Sequence, residues 1–238
     1  FSQIQGLLNT AGFPPVFAEL EPAPGVDVAL PSDPAVQAAV KAAQASTVRI
    51  EGTGCGGIQT GSGFVVASGL VVTNAHVVAG IDRPFIEDSK GQHRATTILF
   101  DPDLDLAILS ARGLAGKPLN LAQQERPPGD GGAVLGYPGG GAFTAVPAAI
   151  VNRMEAVGRD IYSRSLSTRD VYRLKANVRP GNSGGPVVAP DGQVTGVVFS
   201  RSAYREEIGY ALTSISVIPK VNQANQSDRE VDTGPCAA

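Results

Sequence analysis

Short runs of β-branched and apolar residues, each closed off by turn-forming residues, recur along most of this chain and leave little room for helices. They fall at Thr47 to Glu51, Phe64 to Ala67, Leu70 to Thr73, Thr96 to Phe100, Ala133 to Leu135, Val171 to Leu174, Val187 to Ala189 and Val194 to Phe199. Runs of this length between turn residues read as strands. The 29 glycines and 18 prolines supply many of the breaks, and 238 residues are enough for one large all-β unit with a substantial core. Helical periodicity is confined to two places. Asp33 to Ala45 reads as a helix, with Pro34 behind a capping Asp33. A second short helix is expected near Ser214, limited or kinked by Pro219.

The hexapeptide Gly181-Asn182-Ser183-Gly184-Gly185-Pro186 fits a serine nucleophile held in a glycine turn. Side-chain-free neighbours let backbone N–H groups come within about 3 Å of a tetrahedral oxyanion. Turn statistics alone leave a plain strand connection open. A second signal lies in Val71 to Val78, where an apolar alternating run meets the imidazole of His76. His76 taken alone could equally be a satisfied core histidine. The only other histidine, His93, sits in the polar stretch Lys90-Gly91-Gln92-His93-Arg94, expected to be solvated at a turn or strand edge and without chemistry. Asp105 opens the apolar run Leu106-Ala107-Ile108-Leu109, so its carboxylate enters a sheet and needs a partner. A histidine N–H suits it, because the carboxylate then fixes the tautomer and stabilises the imidazolium formed as Ser183 attacks. Asp101 and Asp103 compete for that role, but Pro102 favours a turn there and leaves Asp105 nearest the strand.

With these flanks, the order His76, Asp105, Ser183 resembles the chymotrypsin-like serine proteases. Thr73-Asn74-Ala75-His76-Val77-Val78, Asp105-Leu106-Ala107-Ile108-Leu109, Gly136-Tyr137-Pro138-Gly139 and Gly181-Asn182-Ser183-Gly184-Gly185 are similar to the motifs of the HtrA/DegP branch, spread over about residues 47 to 220. The N-terminal stretch and the two widely placed cysteines are most similar to the periplasmic domains of mycobacterial membrane-anchored acid-resistance proteases. The resemblance implies two packed six-stranded barrels, with His76 and Asp105 from the first and Ser183 from the second. It implies peptide hydrolysis through an acyl-enzyme: Ser183 attacks, His76 shuttles the proton, Asp105 orients His76, and the N–H groups of Gly181 and Ser183 form the oxyanion hole.

The expected organisation is an extended tether over residues 1–32, or equally a disordered linker, then the first barrel with its preceding helix over 33–122. A proline-rich crossover at Gln123 to Asp130 opens the second barrel and short helix over 123–221, and a polar tail follows over 222–238. Asn182 stands where digestive zymogens carry an aspartate, so the oxyanion loop must be ordered by other contacts: the tail, Arg179-Pro180 or substrate. By position relative to Ser183, Asn177 is expected at the base of the primary pocket, with Val198, Phe199, Ser200, Arg201, Ile208 and Gly209 in its walls. No carboxylate stands at 177 and no histidine near the walls, which favours an uncharged or apolar P1 side chain. The strand ending at Phe199-Ser200-Arg201 is expected to pair with extended substrate.

Cys55 and Cys236 form an even pair, expected to bridge in an oxidising compartment, with two reduced thiols as the alternative. A net charge of −3 gives no support for nucleic-acid binding, and Arg153, Arg159, Arg164, Arg169 and Arg173 are spaced as surface loop residues. With Ser163 to Thr168 they are expected to form an exposed loop open to nicking, self-cleavage included. No metal or cofactor is expected, since the glycine turns Gly54-Cys55-Gly56-Gly57 and Gly139-Gly140-Gly141 lack the lysine or helix context of nucleotide loops. No run of about 18 apolar residues is present, so no membrane contact by this chain itself is expected. A first residue other than Met, without a signal sequence, leads to the expectation of a longer parent, which by resemblance is membrane-anchored. Too few residues follow Lys220 for a PDZ domain. The function expected is an extracytoplasmic serine endopeptidase acting on protein or peptide substrates, with a part in envelope stress or acid resistance by resemblance; the alternative is an idle protease fold serving as a binding or sensing module.

Overall fold

A computed structural model describes residues 27–237; residues 1–26, most of the expected tether, lie outside them. Strands β1 (Thr47–Gly54), β2 (Gly57–Ala67), β3 (Leu70–Thr73), β4 (Phe85–Asp88), β5 (Gly91–Asp101) and β6 (Leu106–Ala111) close into a barrel in the order β1-β2-β3-β6-β5-β4. Strands β7 (Gly131–Gly136), β8 (Thr144–Arg159), β9 (Leu166–Lys175), β10 (Pro186–Val188), β11 (Val194–Arg201) and β12 (Ile208–Thr213) close a second, in the order β7-β8-β9-β12-β11-β10. Closure leaves neither sheet an unpaired edge. Each of the eight runs read as strands overlaps one of these. The expected all-β fold of two packed six-stranded barrels is the fold observed.

Alternation at a period of two explains how twelve strands fill three cores. Val65, Val71 and Leu109 point into the first barrel, whereas their neighbours Phe64, Val72 and Ile108 point out into the seam between barrels. In β11 the same split sends Val198 into the second barrel and Val197 and Phe199 into the seam. The seam also collects Ala39 and Ala43 from α1 (Asp33–Ala43), and Val217 and Val221 from α3 (Ser214–Ala224). One-residue slips would exchange barrel core for seam along a whole strand, so the register is strongly specified.

Several expectations change. The N-cap of α1 is Ser32, not Asp33, which instead places its charge in the positive first turn, and the helix gives way to a 3₁₀ turn at Gln44–Ser46. Helix α3 does not stop at Pro219 but runs on to Ala224, because Val221 and Ala224 are buried beyond it. His93 is not simply solvated: its Nε2 lies 3.0 Å from Asp88 Oδ1 and its Nδ1 3.1 Å from the Arg112 carbonyl.

The arginines are a surface series only in part, with Arg153, Arg159 and Arg164 exposed. Arg169 is fully buried and Arg173 nearly so. They lie on the long β8–β9 hairpin, which extends past its own barrel and docks on the first through Ile161 N–H to the Pro102 carbonyl (3.3 Å) and Ser167 Oγ to the Asp103 carbonyl (2.8 Å). The hairpin tip is internally ordered. Burial pushes the Asp160 carboxyl up, but donors from Ser165, Arg164 and Tyr162 outweigh burial and hold it below its ordinary value. Exposure is confined to Ser163, Arg164, Ser165 and Leu166 at the turn, and to outward positions such as Thr168.

The tail returns to the first barrel. Val231 N–H donates to the Thr97 carbonyl (2.9 Å), Thr233 Oγ1 to the Ile81 carbonyl (3.1 Å), and Cys236 is disulfide-bonded to Cys55, 181 residues away. Closing so long a loop removes denatured-chain entropy worth at most about 5 kcal/mol. Replacing both cysteines by serine should lower unfolding free energy by about 2–5 kcal/mol, read as a lower denaturant midpoint; an unchanged midpoint would mean that the bridge does not constrain the unfolded chain.

Candidate active site

His76 sits in α2 (Ala75–Val78), a single helical turn directly after β3, and is 2% exposed. Asp105 lies just ahead of β6 with φ +62°, a left-handed conformation that aspartate adopts more readily than most residues. Strand pairing brings the two together, since Thr73 opposes Ala107 at the β3–β6 register. The fully buried Asp105 carboxylate accepts from His76 twice: backbone N–H to Oδ1 at 3.0 Å, and Nδ1 to Oδ2 at 2.8 Å. Asn74 Nδ2 donates to the Asp105 carbonyl at 2.8 Å and anchors the turn from the other side. The competitors are occupied elsewhere: Asp101 meets Lys220 at 2.7 Å and caps the Leu104 N–H, while Asp103 is exposed.

With Nδ1 facing Asp105, the acceptor nitrogen of the ring is Nε2, which is buried and has no hydrogen-bond partner among the described residues. Ser183 comes to the same region from the second barrel. Its carbonyl accepts from Ser62 N–H at 2.8 Å, and a Cβ on the next residue, Gly184, would lie 2.4 Å from Thr73 Oγ1. A Cβ on Gly61 would likewise fall between Val77 at 2.6 Å and the Ser183 carbonyl at 3.3 Å. Glycine at 61 and 184 is thus what lets the serine turn close on the histidine turn.

The turn that carries Ser183 is two β-turns in tandem. Asn182 N–H donates to the Arg179 carbonyl and Gly185 N–H to the Asn182 carbonyl, each at 2.9 Å. Gly181 (φ +93°) and Gly184 (φ +81°) hold the third positions, as type II turns require, with Pro180 at the second position of the first. Asn182 Oδ1 accepts the Arg179 N–H at 3.0 Å, a neutral tie where an aspartate would seek a cation. Gly139 N–H holds the Pro180 carbonyl at 2.8 Å. Because the peptide is planar and trans, the Gly181 N–H then points the opposite way. Neither the Gly181 nor the Ser183 N–H donates to a backbone acceptor among the described residues.

The expected pocket residues divide. Val198, Phe199, Ser200, Ile208 and Gly209 are buried, but Arg201 is exposed, and so is Asn177, the expected base. The neighbour Val178 turns inward instead and packs with Val198 and Ala211; a Cβ on Gly209 would collide with its Cγ2 at 2.2 Å. Sequence reading had no signal for Val178 or Ser62, an apolar and a small residue in segments full of both. Among the described residues no group of three or more His, Cys, Asp or Glu could hold a metal, and no helix is long and apolar enough to cross a membrane.

A family model for the trypsin-like peptidase domain matches residues 61–197. The serine protease Rv3671c of Mycobacterium tuberculosis is 38% identical over 241 residues, which take in 99% of this chain and 60% of that protein. The chain therefore spans about 60% of the length of that curated relative. The crystal structure of the active form of the Rv3671c protease superposes with a TM-score of 0.87 at 37% identity, covering 92% of this chain and 98% of that one. Its inactive form matches less well, with a TM-score of 0.75 over 84% of this chain and 99% of that one, at 38% identity. The buried His76–Asp105 pair, the glycine turn around Ser183 and these likenesses converge on one conclusion: the chain belongs to the trypsin-like peptidase family.

Proposed function

We propose that this chain is an extracytoplasmic serine endopeptidase with Ser183 as nucleophile, His76 as general base and Asp105 as the group that orients it. The observation that carries this reading is the His76–Asp105 pair, whose bond through Nδ1 leaves Nε2 free to serve as the proton acceptor. His76 Nε2 removes the Ser183 hydroxyl proton as Oγ attacks the scissile carbonyl, and it later delivers that proton to the leaving amine. The N–H groups of Gly181 and Ser183 stabilise the oxyanion. Water then cleaves the acyl-enzyme by the same route in reverse. Ser183 Oγ is not hydrogen-bonded to Nε2; such contacts are often long before substrate binds and tighten in the reacting complex.

The primary pocket is proposed to lie beside the paired strands β11 and β12, with Val178 rather than Asn177 at its inner end. An apolar floor without a carboxylate favours an uncharged or apolar P1 residue. The disulfide suits an oxidising compartment outside the cytoplasm, and a part in envelope stress or acid resistance rests on the likeness to Rv3671c. A fluorophosphonate probe tests the reading. Stoichiometric labelling of Ser183 at neutral pH is expected, whereas no labelling of the oxidised, folded protein would mark it as an idle module. A peptide library should return uncharged P1 residues, and cleavage confined to Arg or Lys would reject the pocket.

A further inference from the structure

Ser62, on β2 of the first barrel, touches both residues whose N–H groups face the proposed oxyanion. Its backbone N–H donates to the Ser183 carbonyl at 2.8 Å. Its hydroxyl donates to the Gly181 carbonyl at 2.6 Å and accepts the Tyr137 N–H at 2.9 Å. The side chain is fully buried, and a Cβ on Gly136 would lie 2.6 Å from its Oγ. Nothing in the proton relay uses this hydroxyl. We infer that Ser62 is a positioning residue: it clamps the oxyanion turn of the second barrel to the first barrel and holds the Gly181 N–H in its productive direction.

The physical need for a clamp comes from Gly181 itself. A residue without Cβ exchanges between positive and negative φ at little cost, so a turn built on it can invert and swing its N–H away. Two carbonyls flank that N–H. The Pro180 carbonyl is held by Gly139, and the Gly181 carbonyl by Ser62, so both peptide planes around Gly181 are fixed. Removing the hydroxyl leaves the buried Gly181 carbonyl and the half-buried Tyr137 N–H without these partners, and inverting the turn is one way to relieve that. Because the clamp spans the two barrels, it makes the oxyanion hole conditional on their docking.

This inference rests on the proposed protease reading, and the test separates the two. Ser62→Ala is compared with wild type and with Ser46→Ala, which removes a similar buried hydroxyl-to-carbonyl bond (Ser46 Oγ to the Lys117 carbonyl, 2.6 Å) elsewhere. Fluorophosphonate labelling of Ser62→Ala should fall about tenfold or more in maximal rate, part of what a whole oxyanion donor supplies, with the half-saturating probe concentration unchanged. Ser46→Ala should label at the wild-type rate. In ¹H–¹⁵N spectra the Gly181 and Asn182 amides should shift or broaden in Ser62→Ala and not in Ser46→Ala. That readout holds even if wild type fails to label, a result that would sink the protease reading alone. Folded Ser62→Ala with wild-type labelling, or with unmoved Gly181 and Asn182 amides, overturns the inference. Should the alanine variant not fold, Ser62→Cys decides, since a thiol is a weak donor: a slower maximal rate supports the clamp and a wild-type rate overturns it.

Discussion

Replacing Ser183 by alanine is expected to lower peptide hydrolysis by roughly a millionfold and to abolish fluorophosphonate labelling, with the fold retained. Ser183 is buried in a turn fixed by backbone bonds on both sides, so loss of one oxygen leaves its surroundings in place. Asp105→Asn should be less severe, about ten-thousandfold, through a different fault. An asparagine that presents its amide nitrogen to Nδ1 can donate but not accept there, which favours the tautomer with its proton on Nε2. The base would then face the nucleophile already protonated. Both variants are read by single-turnover labelling and by thermal unfolding. Ser183→Ala protein that still hydrolyses peptide above background would show the nucleophile to lie elsewhere.

Gly181→Ala is expected to cost on the order of a hundredfold or more in maximal rate, the worth of one oxyanion donor. The reason is steric and local. Gly181 has φ +93°, and an added Cβ would lie 2.4 Å from Gly139 N and 2.6 Å from the Tyr137 carbonyl. Both are backbone atoms and cannot step aside as a side-chain end could, so the turn must re-form and its N–H leaves the oxyanion site. Stability should fall by only about 1–3 kcal/mol, the usual cost of a strained backbone position. Probe binding before reaction should be unaffected. An alanine variant that reacts at the wild-type rate would show that Gly181 N–H is not a donor in the reaction.

The supports of the proposed oxyanion turn also bear on what orders it. Sequence offered three candidates for ordering it: the tail, the Arg179-Pro180 segment and substrate. Contacts within the chain involve the second of these, with Arg179 N–H bonded to Asn182 and the Pro180 carbonyl bonded to Gly139. The Gly136-Tyr137-Pro138-Gly139 motif, whose role was not evident from its composition, supplies that partner.

The sequence alone marked eight of the twelve strands, both seam helices and the candidate residues His76, Asp105 and Ser183, because each leaves a local trace. Alternation marks a strand, a buried charge demands a partner, and glycine runs mark turns with unusual backbone angles. Tertiary structure decided where neighbours in space are strangers in sequence. Arg169 reads as one more surface charge, and only the docking of the β8–β9 hairpin on the first barrel buries it. Asn177 and Val178 differ by one step, and the local turn of the chain sets which faces inward. Ser62 carries no mark at all. Its hydroxyl matters because Gly181, 119 residues away, arrives from the other barrel with a carbonyl to be held, and a hydrogen bond across that distance is written in the packing of two barrels rather than in either segment.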